Sequence, residues 1–243
     1  MIINLIGFLP KVWSKIILQQ IIWTMKLLLL ILLFCNVAIL WTACTKETPK
    51  VCTDSFVDER DGIEYCTTTI GTQVWMADNL QYASDSNAYL NLSSPSTVNA
   101  VYGRLYTFNE ANQACPNGWH LPTDNEWKTL EMTLGMSAVE ADGLNERGTD
   151  QGAQLKSVEG WDASTNVGVQ GTNSSGFNAL PSGEWNPSFG PFFELGIEAS
   201  YWTASTYDTT SAGWMRTLTY DAASIKRSYA TQKMGFACRC VKD

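Results

Sequence analysis

Apolar residues in this chain form one long run near the start, then short alternating or helical clusters separated by polar stretches. The run, Leu27 to Trp41, is interrupted only by Asn36. At fifteen residues it falls short of the about 17–25 that a membrane-crossing helix needs. Further on, Ile63, Tyr65, Thr67 and Thr69 alternate with other positions, as in a strand with one buried face. Gln73–Met76 follows the Gly71-Thr72 turn as a second strand. Val101–Tyr106, Tyr201–Ser205, Trp214–Tyr220 and Gly235–Val241 read as four more. Trp127, Leu130 and Leu134 fall at i, i+3 and i+7, one face of a helix. Thr123 and Glu126 form its capping box, and Gly135-Met136 end it. Thr107 and Glu110 predict a second, shorter helix through Ala114. Residues 83–99 and 137–200, rich in Ser, Asn, Gly and Pro, read as loops, the latter with ordered pieces at 153–156 and 176–181. The order of strands, two helices, long loop and closing strands predicts an α+β fold.

The start of the chain has its own logic. Residues 1–26 carry three Lys and no acid, and the apolar run follows. A positive segment, a short apolar core and small residues make a secretory signal. Met25-Lys26 is a better start than Met1, so residues 1–24 read as an upstream extension. Trp41-Thr42-Ala43-Cys44 resembles a bacterial lipobox, which implies that residues 1–43 are removed and Cys44 is lipidated. A polar tether over 44–59 leads to the domain at 60–243. No Asp stands at position 45, so the expected address is the outer membrane, with the chain held to the membrane by its acyl chains.

Composition then narrows the function classes. From Cys44 onward thirteen Lys and Arg face twenty-four Asp and Glu, a net charge of −11. That argues against nucleic acid and against a polybasic membrane surface. Seven Trp remain after residue 43, enough for a sizeable core. Cys52, Cys66, Cys115, Cys238 and Cys240 accompany the lipid cysteine, and in an exported protein they read as disulfide partners. Five is odd, so one thiol is left over. A zinc site is disfavoured, because there is no C-x-x-C and His120 is the sole histidine.

Several stretches carry a resemblance. They are Asp61-Gly62-x-x-Tyr65, Ile70-Gly71-x-Gln73-x-Trp75-Met76-Ala77-x-Asn79-Leu80 and Tyr102-Gly103-Arg104-Leu105-Tyr106. Cys115-Pro116-x-Gly118-Trp119-His120-Leu121-Pro122, Gly176-Phe177-x-Ala179-Leu180-Pro181, Tyr201-Trp202-Thr203 and Gly235-Phe236-x-x-Arg239-Cys240-Val241 follow. In this order they resemble the Fibrobacter succinogenes major paralogous domain, found on surface lipoproteins largely of the Bacteroidetes and Fibrobacteres. More distantly, Leu121-Pro122-Thr123-Asp124-x-Glu126-Trp127 is similar to formylglycine-generating enzymes. That likeness implies a C-type lectin-like fold, with two helices, a small antiparallel sheet pairing the N- and C-terminal strands, and a long loop region. It further implies a Cys115–Cys240 bridge. For the remainder, Cys66–Cys238 with Cys52 free is the first expectation and Cys52–Cys66 with Cys238 unpaired the rival.

The chemistry-bearing residues are few. His120, between Trp119 and Leu121, reads as structural, and capping explains Asp124 and Glu126. No nucleophile elbow, phosphate-cradling loop, metal set or cofactor motif stands out. Cys238-x-Cys240 could serve as a redox or copper pair, as an oxygen-dependent thiol enzyme requires. Trp161, Trp185 and Asn186 in the long loops are the ligand-binding candidates, set to stack on a sugar or peptide or else to anchor loops. The expectation is a non-enzymatic, lipid-anchored domain that binds a glycan or protein partner. The rivals are a purely structural envelope component and the thiol enzyme.

Overall fold

The computed structural model describes residues 20, 22–27, 52–83, 88–89, 101–188, 190–208 and 211–243. Cys44, the lipobox, residues 28–51 and most of the 83–99 loop lie outside these. The chain divides into two units, Met1–Val51 and Cys52–Asp243. In the first, residues 22–27 are helical. No described helix is long and apolar enough to cross a membrane.

The second unit is α+β. Strands β1 (Asp54–Val57), β2 (Glu64–Ile70) and β3 (Gln73–Met76) form an antiparallel meander. β1 lies inside the stretch expected to be tether, and Phe56 accounts for it: its ring stacks on Trp119 at 4.4 Å and on Tyr65 at 5.6 Å. At the β2–β3 turn Gly71 has φ +63, and a Cβ there would meet Thr133 Oγ1 at 2.9 Å. After β4 (Ala88–Tyr89) and β5 (Leu105–Tyr106) come α1 (Phe108–Ala114), β6 (Trp119–His120) and α2 (Asp124–Thr133). The strand expected over 101–106 shrinks to its last two residues. Gly103 turns the chain at φ +76, close against Asn79. Thr107 sits at the N-cap of α1 without a side-chain cap bond, unlike the expected box. The box on α2 is complete.

Residues 137–200 are more ordered than their composition suggests. They hold α3 (Ala138–Asp142), β7 (Asn145–Arg147), α4 (Gln151–Leu155), β8 (Glu184–Asn186) and β9 (Gly190–Phe193). A second capping box, Ser137 with Glu140, starts α3. β10 (Glu198–Thr206), β11 (Ala212–Thr219) and β12 (Ile225–Thr231) then run antiparallel, and β13 (Phe236–Ala237) and β14 (Val241–Lys242) close the chain.

Among the described residues there are three sheets: β1-β2-β3-β14-β6, β4-β5-β13-β10-β11-β12-β7 and the β8-β9 hairpin. The segment expected as one final strand is thus divided between two sheets. β13 lies parallel to β10, while β14 lies antiparallel to β3 and β6. The larger sheet has apolar cores on both faces. Tyr201, Leu218, Ile225 and Ala237 join Trp127 and Leu130 of α2 in one. Trp202, Met215 and Phe236 join Phe108, Ala111 and Ala114 of α1 in the other.

Candidate functional site

Helix α2 is the hub of the polar interior. Its capping box places Glu126 Oε2 2.7 Å from the Thr123 amide, and Glu126 Oε1 lies 2.8 Å from His120 Nε2. His120 Nδ1 in turn meets Asp243 Oδ1 at 2.6 Å. Burial works to lower the His120 pKa, but the bonds to Asp243 and Glu126 outweigh it and raise it. One residue into the helix, Asp124 accepts from Arg216 Nη1 at 2.8 Å and from Arg227 Nε and Nη2 at 3.0 and 2.8 Å. Two turns later Glu131 accepts from Arg216 Nε at 2.6 Å and Arg147 Nη2 at 2.8 Å. Burial would raise the Asp124 pKa, yet Arg227 and Arg216 hold it far below the usual carboxylate range. Asp124 is therefore more than a capping residue. The network fastens α2 to β7, β11 and β12, and its acids are committed to arginines.

The cysteines form the second constellation. Cys115 and Cys240 are bridged, with S–S 2.09 Å and Cα atoms 5.9 Å apart. The expected Cys66–Cys238 pair is not formed; Cys66 is bridged to Cys52 instead. Cys66 pairs across β1 with Ser55, so Cys52 just before that strand reaches it. Cys238 lies at the other bridge, 3.9 Å from Cys115 Sγ, buried and free. The Cys115, Cys238 and Cys240 sulfurs lie within 4.8 Å of one another. With two of them joined, the set is a disulfide beside a thiol. Burial pushes the Cys238 thiol up to about 12, which keeps it protonated and a poor nucleophile. Between the cysteines Arg239 is wholly buried. It donates to Asn79 Oδ1 at 2.7 Å, to the Met76 and Asn178 carbonyls at 3.1 and 2.9 Å, and to the Phe177 carbonyl.

The ligand-binding candidates do not converge on one open surface. Trp161 is half-buried against the first core, and its Nε1 donates to Ser157 Oγ and the Ala179 carbonyl, both at 3.1 Å. Trp185 packs on the same core and exchanges backbone bonds with Gly235 at 2.9 and 2.8 Å. Asn186 Oδ1 accepts from the Ser188 amide at 3.0 Å within its own turn. Of the two roles open to these rings, stacking on a ligand or anchoring a loop, their packing and hydrogen bonds suit the anchor.

A buried lysine completes that anchoring. Lys156 Nζ donates to the carbonyls of Val169, Thr219 and Ala222 at 2.5, 2.8 and 2.8 Å. Burial brings its pKa down to about 8, with Asp221 opposing. The segment 157–183 is thus fixed at its root while Val167 at its tip is 98% exposed. Nearby, burial together with the Glu194 and Glu184 carboxylates raises Glu198 to about 8, against a bond from Ser200. A cleft of about 310 Å³ lies beside β1, lined by Phe56, Val57, Asp58, Glu59, Arg60, Pro116 and Asn117. Its Asp58–Arg60 pair is closed on itself at 2.7 Å, and Arg60 also donates to the Ala114 carbonyl at the end of α1.

Sequence reasoning missed Arg216, Arg227 and Lys156. None belongs to a motif; Arg216 and Arg227 lie on strands, where a charge reads as solvent-facing, and Lys156 stands just past the end of α4. The signal for Arg227 was the alternation of Ile225, Arg227 and Tyr229, which marks a strand face. Residues 68–242 match the family model described as the Fibrobacter succinogenes major domain. No curated protein and no solved structure matches the chain.

Proposed function

We propose, from the premise that this chain belongs to the Fibrobacter succinogenes major domain family, a lipid-anchored envelope domain that performs no catalysis and binds a glycan or protein partner. The anchor is Cys44 and the location the outer membrane, on the strength of the lipobox-like Trp41–Cys44 and the polar stretch after it. A C-type lectin-like arrangement suits the order of elements: α1 and α2 early, β14 returning to β3, and a long segment between. The observation that carries the binding role is the segment 157–183. It is rooted by Lys156 and Trp161 and presents an exposed tip, the arrangement expected of a recognition loop on a rigid scaffold. A glycan array and a pull-down with the full chain in detergent test it. Binding that weakens in Val167→Asp is the expected result, and blanks in both assays remove the reading.

A purely structural envelope component is the second reading. The packing of Trp161 and Trp185 on the core favours it. The thiol-enzyme reading needs free thiols at both Cys238 and Cys240, and the Cys115–Cys240 bridge counts against it.

A further inference from the structure

The face of the large sheet that α2 covers runs on past the helix. Arg216 and Arg227 are opposite one another in β11 and β12, under Asp124. One step along, on the same face, Trp214 is opposite Tyr229. Tyr207, just after β10, completes a group of three rings. Tyr207 and Tyr229 are stacked with centroids 3.7 Å apart and an interplanar angle of 8°. Trp214 meets Tyr207 edge-on at 5.0 Å. The two tyrosines are 44% and 48% exposed.

This group is built, not merely uncovered. Arg227 lies 3.8 Å over the Trp214 ring, and its guanidinium is held by Asp124 on one side and the Asp142 carbonyl, at 2.9 Å, on the other. Two of the rings stand on strands, so the platform is rigid before any ligand arrives. Because Arg227 is committed to Asp124, it offers little to an anion. Flanking the rings are the exposed hydroxyls of Thr206 and Thr231 and the exposed Asp208, whose carboxylate accepts from the Ser211 amide and hydroxyl and from the Ala212 amide; none of the three would draw an anion. Aromatic side chains bury at most about 150–250 Å² each, so two half-exposed tyrosines and a partly buried Trp214 present no more than about 300 Å². A stable protein interface takes about 800 Å² from each partner. The area suits instead one or two sugar rings, whose slightly positive C–H edges are drawn to the negative faces of the aromatics.

We propose that Tyr207, Trp214 and Tyr229 form a carbohydrate-binding platform for neutral glycans, distinct from the 157–183 loop. The test is isothermal titration of the full chain in detergent with neutral gluco-, manno-, galacto- and xylo-oligosaccharides. At least one is expected to bind. Tyr207→Ala and Tyr229→Ala should each weaken that binding about tenfold or more, with Tm unchanged. Tyr229→Phe, which keeps the ring, should stay within about threefold, and Val167→Asp should bind these neutral oligosaccharides as the wild type does, its loss being confined to whatever other glycan or protein the 157–183 loop holds. Loss in the tyrosine variants alone supports the platform whatever becomes of the loop. Loss in Val167→Asp alone overturns the platform and leaves the loop reading standing. Absence of binding to every oligosaccharide, or a protein captured through the rings in its place, overturns the sugar assignment.

Discussion

Arg239 turns the last segment of the chain into a clamp. Its guanidinium, with no exposure, serves three carbonyls and one side-chain amide oxygen drawn from the end of β3, from Asn79 and from residues 177–178. Replacing it with Met keeps volume but leaves those oxygens without a donor. Each buried orphan costs about 1–3 kcal/mol, so Arg239→Met is expected to lose at least about 3 kcal/mol in urea unfolding. A loss below about 1 kcal/mol, the size of an average substitution, would mean the clamp does not hold. Glu198 gives a residue-scale prediction of the opposite sign. Its folded pKa is raised to about 8 while the unfolded side chain titrates near its ordinary value. The folded state therefore binds more protons across that interval, and stability falls as pH rises toward 8. Glu198→Gln removes the titration and should be more stable than wild type at pH 8. Thermal melts at pH 5 and pH 8 check this: the advantage of the variant must grow with pH.

At the scale of elements, α2 is held by charge as much as by apolar contact. Trp127 and Leu130 bury one face, worth roughly 1.5–3 kcal/mol each. Asp124 and Glu131 on the same helix meet three arginines from β7, β11 and β12. Removing Asp124 leaves the buried Arg227 without a carboxylate and Arg216 with Glu131 alone, so Asp124→Ala is expected to cost about 3–5 kcal/mol. Lys128, whose Nζ lies 3.2 Å from Asp124 Oδ2 and 2.6 Å from the exposed Asp142 Oδ1, is the outermost partner, and Lys128→Ala should cost under about 1 kcal/mol. Equal losses in denaturant unfolding would show that the network is not organised around Asp124. Because its pKa is depressed, Asp124 supports the fold above the ordinary carboxylate range, and that support fades as pH falls through the depressed value. Much of this was legible. The period of Trp127, Leu130 and Leu134 and the Thr123–Glu126 box placed α2, and alternation placed β2 and the Tyr201 and Trp214 strands. β12 was missed because a buried Arg in its pattern looks like a surface strand, and burial of a charge depends on a partner far away in sequence. The loop over 137–200 was overdrawn for a related reason. Its elements are three to five residues long, too short for a period to show, and β7 takes its ladder from β12 about eighty residues further on. The site was the least legible part. Trp161 and Trp185 could be read from sequence either as loop anchors or as stacking rings, because the partners at Ala179 and Gly235 lie far along the chain, and Tyr207 and Tyr229 meet only when the strands pair.

Across the whole molecule the two disulfides do different work. Cys52–Cys66 spans 14 residues and joins β1 to the strand it already pairs with. Cys115–Cys240 spans 125 residues and joins the end of α1 to the segment that passes from the larger sheet to the smaller one. In the chain-entropy picture the short loop is worth about 3 kcal/mol and the long one about 5 kcal/mol. The Cys115→Ala/Cys240→Ala double variant should therefore lose about 2 kcal/mol more than Cys52→Ala/Cys66→Ala. Cys238 adds a condition on how this is measured. Its thiol lies 3.9 Å from Cys115 Sγ, close enough to take over the bridge once Cys240 is gone. Under oxidising refolding Cys240→Ala alone should give a Cys115–Cys238 disulfide, seen by non-reducing peptide mapping, and should keep much of the stability that the double variant loses. If the single variant instead shows two free thiols and unfolds with the double one, closing the loop at Cys240 itself, and not merely near it, is what holds the two sheets together.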